Sequence, residues 1–166
     1  MTLEIRKFGD PVLKSQATPV ESFDESLERL AQEMLRTMRR AEGVGLAANQ
    51  VGYLRRIFVA ALGEDEEFVI VNPEIEELSG ETVKDSEGCL SIPGIQVEVE
   101  RAGRVVLSGR NLKGEPVTLD AEGVLARVFQ HEIDHLDGVL ILDRTDRESR
   151  KAALRAWRER QMAARR

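Results

Sequence analysis

Hydrophobic and polar positions alternate with three different rhythms along the chain. Leu27, Leu30, Ala31, Met34, Leu35, Met38 and Ala41 recur at three- and four-residue intervals, which predicts an amphipathic helix. Ser22-Phe23-Asp24-Glu25 ahead of it reads as a capping box, and Gly43 as its stop. The middle changes period. Arg56–Ala60 and Phe68–Val71 are short apolar runs, Ile95–Val99 alternates strictly, and Val105–Leu107 and Val117–Leu119 flank a Lys113-Gly114 turn. Closely spaced short strands of this kind predict antiparallel or mixed sheet rather than βαβ units. Helical period returns from about Asp120 or Ala121 to Gly138, with Val124, Val128, His131 and His135 on one face. A short strand over Val139–Leu142 is expected next. A last helix then opens on a second capping box, Thr145-Asp146-Arg147-Glu148. Its bulky apolar residues are only Leu154, Trp157 and Met162, a narrow docking stripe that leaves its arginines in water.

This order predicts an α+β fold. Antiparallel or mixed β-sheets pack around a central helix, with an N-terminal and a C-terminal helix flanking them. A length of 166 residues suits a single domain, 1–166, with a body over 1–143 and a helix over 144–166. A composition 42% hydrophobic and 33% charged excludes a disordered chain, and one cysteine excludes an intramolecular disulfide framework. The opening MTLEIRKFGD lacks the apolar run of a signal peptide. The longest apolar run, Ile57–Leu62, is far too short to span a membrane, so a cytoplasmic protein is expected.

Charge changes this picture in one respect. The net charge of −6 argues against nucleic-acid binding as the main activity of the body. Yet residues 144–166 hold nine basic and three acidic side chains, a net of +6, which leaves −12 for the rest. An acidic body with a basic tail points to two surfaces with different partners, against the alternative of a merely solvated helix face.

Both histidines of the chain lie in His131-Glu132-Ile133-Asp134-His135. The HExxH spacing sets two imidazoles one helical turn apart, where both can reach one metal ion with the glutamate beside the open position. A catalytic site of this kind wants a third protein ligand. Position 141, where a longer histidine motif would supply it, is Ile141. Glu148 or Glu159 could serve but falls in the basic last helix. Cys89, in Glu87-Gly88-Cys89-Leu90-Ser91, is the remaining soft ligand and would suit Fe(II) or Zn(II). Competing readings are a buried structural cysteine, or a nucleophile with His131 as its base, which leaves His135 unexplained. A purely structural zinc would need a fourth protein ligand.

Gly43-Val44-Gly45-Leu46-Ala47-Ala48-Asn49-Gln50 superficially matches a dinucleotide fingerprint, but a helix precedes it where that fingerprint needs a strand. Its glycines instead let backbone come close to another group, and the Gln50 amide can donate to an oxyanion. A glycine-rich helix stop before an edge strand competes with this reading.

Taken together, GVGLAANQ at 43–50, EGCLS at 87–91 and QHEIDHLDG at 130–138 resemble the peptide deformylases, and the chain length resembles their shorter bacterial class. The resemblance implies removal of the N-formyl group from the initiator methionine of nascent peptides, by a fold of antiparallel sheets around the HExxH helix. It implies one divalent metal ion held by Cys89, His131 and His135, with Fe2+ native and Zn2+, Ni2+ or Co2+ in purified samples. Gln50 and the Leu90 N–H would hold the developing oxyanion, and Glu132 would be general base and acid. The general chemistry is metal-generated hydroxide at neutral pH.

By the same resemblance, Val44, Gly45 and Val128 would contact the substrate's methionine and backbone, and Glu87 and Arg101 would pair behind Cys89. Asp134 would either orient a ligand or sit exposed. Some bacterial members carry an arginine seven residues after the cysteine; here it is Gln96. The basic last helix is similar to one that docks on the ribosome surface, RNA phosphate being a suitable partner for its arginines. No membrane partner is expected, and the chain is expected to be a monomer. Alternatives are another HExxH metallopeptidase, or a ribosome-associated binding protein with a structural metal.

Overall fold

The computed structural model describes residues 2–165 and follows the predicted order closely, with differences at the element ends. Helix α1 covers Glu25–Arg40. Strands β1 (Gly45–Ala47), β2 (Ile57–Ala61), β3 (Glu67–Leu78), β4 (Thr82–Glu87), β5 (Val97–Ala102), β6 (Arg104–Arg110) and β7 (Pro116–Glu122) follow. Helices α2 (Gly123–Leu136), α3 (Ile141–Arg144) and α4 (Arg147–Ala164) complete the chain. One sheet has the order β1-β2-β3-β6-β7 and the other is the β4–β5 hairpin. Every strand pair is antiparallel.

The apolar run of β2 is explained by burial on both faces. Ile57, Val59 and Ala61 pack with Leu27, Leu30, Ala31, Met34, Leu35 and Met38 of α1. Phe58 and Ala60 pack with Ala126, Phe129, Ile133 and Leu136 of α2. The sheet thus lies between α1 and α2. The opposite stripe of α2, Arg127, His131 and Asp134, meets the β4–β5 hairpin through polar contacts. Helix α2 is therefore central, with an apolar face on the large sheet and a charged face on the small one. A third apolar cluster joins Val97 and Val99 of β5 to Ile141, Leu142 and Ala153, with Leu154 and Trp157 against it.

Several expected boundaries move, each for a local reason. Asp24, not Ser22, caps α1, its carboxylate accepting from the Leu27 N–H at 3.1 Å. Asp146, not Thr145, caps α4 by accepting from the Ser149 N–H, while the Thr145 hydroxyl donates to the Glu98 carbonyl. Asp120 and Ala121 do not start α2; they pair with Val106 and Val105 and finish β7. No strand forms over Val139–Leu142. The Asp143 carboxylate accepts from the Leu140 N–H at 2.9 Å, and that reach-back turns 141–144 into the short helix α3. Strand β3 runs seven residues past the predicted Val71, beyond a register shift at Val71/Glu74, and Asn72 there bonds both backbone groups of Val20. Met162, expected in the docking stripe, is exposed.

Candidate active site

Three segments build the predicted site around one cavity of about 580 Å³. Helix α2 supplies His131 and Glu132 to its lining and carries the buried His135 one turn after His131. The loop joining β4 to β5 supplies Cys89 and Leu90. Strand β1 and the 3-10 turn after it supply Gly45 and Gln50. The N-terminal segment ties the last two together: the Arg6 N–H donates to the Gln50 carbonyl and the Phe8 N–H to the Ser91 carbonyl.

Cys89 Sγ lies 3.3 Å from His135 Nε2, which lies 3.1 Å from His131 Nε2. All three donor atoms fall within 4.8 Å of one another. Glu148 and Glu159 are not part of this cluster. Burial alone would raise the Cys89 thiol, but the His135 and His131 imidazoles beside it hold it well below its ordinary value. A thiolate and two imidazoles converging on one point fit a divalent transition metal.

The His131 ring is oriented from behind. Its Nδ1 lies 2.9 Å from Glu87 Oε1, so Nδ1–H donates and the Nε2 lone pair faces the donor cluster. Burial opposes charge on Glu87, but hydrogen bonds from His131 and Arg101 hold its carboxyl far below the usual carboxylate range. Arg101 binds Glu87 through Nε at 2.6 Å and Nη2 at 3.0 Å, and also reaches Asp134 at 2.8 Å. Asp134 is buried and bonds Arg101 and Arg144 rather than facing the cavity. A third arginine, Arg127, donates to Glu87 at 2.6 Å and to the Val99 and Val83 carbonyls of both hairpin strands.

Glu132 is 4% exposed, and among the described residues its Oε1 has no hydrogen-bond partner. Burial lifts its carboxyl above the ordinary value, against the opposing pull of His131 and His135. The side-chain amide of Gln50 is held in one orientation. Its oxygen accepts from the Ala47 N–H at 3.0 Å, so its NH2 points to Ser91 Oγ, 3.1 Å away, and to Cys89 Sγ at 3.5 Å. Val44, Gly45, Leu90, Gln96 and Val128 line the same cavity. Val124 also lines it and is 65% exposed, whereas Val128 both lines the cavity and is buried in the apolar cluster with Phe129 and Ile133.

The family model for polypeptide deformylases matches residues 2–151. The chain belongs to the peptide deformylase family. A peptide deformylase of Dictyoglomus thermophilum is 53% identical over 151 residues, covering 91% of this chain and 97% of that protein. The crystal structure of a peptide deformylase from Legionella pneumophila superposes with a TM-score of 0.94 at 40% identity, covering 100% of this chain and 99% of that one. That of Thermotoga maritima gives 0.86 at 49% identity, covering 88% and 99%. As a member of this metal-dependent family the chain is a hydrolase that removes the N-formyl group from nascent peptides. Within this deformylase, sequence reasoning missed Arg127, Ser91 and Arg144. Arg127 alone left a signal, standing one helical turn before His131 on the same face.

Proposed function

We propose that Cys89, His131 and His135 hold one divalent metal ion, Fe2+ in the cell, and that Glu132 carries the protons of deformylation. The observation behind this reading is the convergence of Cys89 Sγ, His131 Nε2 and His135 Nε2 beside a buried glutamate whose Oε1 has no partner among the described residues. Zn2+, Ni2+ or Co2+ would fit the same donors. When bound, the ion supplies Lewis acidity and makes water acidic enough to react near neutral pH.

The chain's own groups do the rest. Glu132, with its raised pKa, takes a proton from the attacking water and delivers it to the leaving nitrogen of methionine. Water adds to the formyl carbon, the C–N bond breaks, and formate and a free amino terminus leave. The Gln50 NH2, preset by its bond to Ala47, donates to the formyl oxygen as negative charge builds there, together with the Leu90 N–H. Val44, Gly45 and Val128 contact the methionine and its backbone. Glu87 and Arg101 keep His131 turned toward the ion.

The deciding experiment is hydrolysis of a formyl-Met tripeptide by anaerobically prepared protein, with the unformylated peptide as control and metal measured on the same sample. Formate release from the formylated peptide alone, at one metal per chain, is expected. Cleavage of the unformylated peptide, or no turnover at full occupancy, overturns the reading.

The finer partners belong to the same proposal. The protein acts as a monomer in the cytoplasm, and the basic segment 144–166 meets the ribosome surface. Replacing the exposed Arg155 and Arg158 by glutamine weakens ribosome binding and lowers its salt dependence. Unchanged binding at every salt concentration removes that contact.

A further inference from the structure

Helix α4 docks on the body through one stripe: Ala153 is buried, and Trp157, four residues on, packs in the same cluster and edge-on against Phe8. The next position of that stripe, three residues further, is Arg160. An apolar residue would extend the docking face there, but the chain places a cation. The Arg160 guanidinium lies against Gly94: a Cβ built on Gly94 would overlap its Cζ, Nη1 and Nε atoms. Gly94 has φ +82, a conformation that also favours glycine, and it lines the substrate cavity beside Pro93. Among the described residues Arg160 has no hydrogen bond or ion pair. The other charged arginines near the cavity, Arg101 and Arg127, are committed to Glu87. Arg160 is thus an exposed, unpaired cation set against a glycine of the cavity lining without being part of that lining itself.

We propose that Arg160 forms a cationic subsite for an acidic side chain of the substrate, downstream of the formyl-methionine. The inference rests on the deformylase reading of the cavity. The guanidinium presents several N–H donors in a plane suited to a carboxylate. The subsite sets a preference among nascent chains without touching the reacting atoms, so it changes KM more than kcat. Its strength is that of one exposed ion pair, about two- to fivefold in kcat/KM, and it fades with salt.

The test uses C-terminally amidated formyl-Met-Ala-Ala-Ala peptides in which a single Asp, or an isosteric Asn, is scanned through the three downstream positions. The readout is the Asp/Asn ratio of kcat/KM, so changes common to both peptides cancel. The wild-type ratio is expected to exceed one at one position by about two- to fivefold. It should fall to about one in Arg160→Gln and invert in Arg160→Glu. Arg158→Glu, which changes net charge equally from another face of α4, should leave the ratio near that of the wild type. A ratio unaltered by Arg160→Glu, or shifted equally by Arg158→Glu, overturns the subsite. Failure of the parent formyl-Met peptide to turn over at all would instead remove the deformylase reading on which it rests.

Discussion

The carboxylate of Glu132 occupies the space that a side chain at Gly45 would need: a Cβ there would come to 2.5 Å from Oε2 and 2.9 Å from Cδ. Strand β1 passes directly over the residue proposed to move protons. Gly45→Ala must therefore displace Glu132 or the strand. We expect kcat to fall about 10²-fold, the scale of a displacement near 1 Å at a reacting group, with metal content unchanged. Steady-state kinetics and metal analysis on one sample check this; normal kcat would show that the contact relaxes without consequence.

Glu132→Gln keeps the shape of the side chain and removes its proton chemistry. The variant should bind metal as the wild type does and lose at least about 10² in rate. Near-normal turnover at full metal occupancy would take the acid–base role away from Glu132.

Gln50→Ala removes a donor whose orientation is preset by the Ala47 N–H. A loss of about 10² in kcat, with a smaller change in KM, is the expected size for an oxyanion donor. An effect confined to KM would reduce Gln50 to a binding or structural residue.

Arg127 links Glu87 to carbonyls on both strands of the hairpin whose loop carries Cys89. Arg127→Ala should loosen the registry between that loop and α2, raising the metal dissociation rate about 10- to 100-fold. Competition with a chromophoric chelator measures this without reference to activity. A wild-type rate would confine Arg127 to lining the cavity.

Acid stability should depend on Glu87. Its carboxyl is depressed in the folded state, so its stabilising contribution is fully present above the ordinary value near 4.5 and is lost as pH falls toward the folded value. Urea unfolding midpoints at saturating metal should therefore decline below about pH 4.5 in the wild type. In Glu87→Gln they should start lower and decline less steeply. Parallel pH profiles for the two proteins would contradict the assignment.

What could be read in advance follows from how local each signal is. His131 and His135 are legible because four-residue spacing on a helix fixes their mutual geometry with no other information. Helix α1 and strand β2 are legible because one or both faces are buried, and burial writes itself as a hydrophobic period. The far half of β3 and all of β4 were not, since their exposed residues, such as Glu74, Glu77, Lys84 and Asp85, carry no such period. The charged network behind His131 was half visible. Glu87 and Arg101 entered only by resemblance, while Arg127, Asp134 and Arg144 find their partners through the fold, Arg101 and Asp134 being 33 positions apart. Gly45 was recognised as a place of close approach, but what approaches it could be learned only from where α2 settles.

The central position of α2 also sets a timetable for the protein's own biogenesis. Cys89, in the loop of the β4–β5 hairpin, precedes the two histidines of α2 by 42 and 46 positions. The large sheet has no complete second face until the chain has been made past Leu136. A ribosome synthesising this enzyme therefore extrudes a polypeptide that cannot assemble the proposed metal site until most of its length has emerged. Maturation of other nascent chains depends on a catalyst that becomes competent only near the end of its own translation.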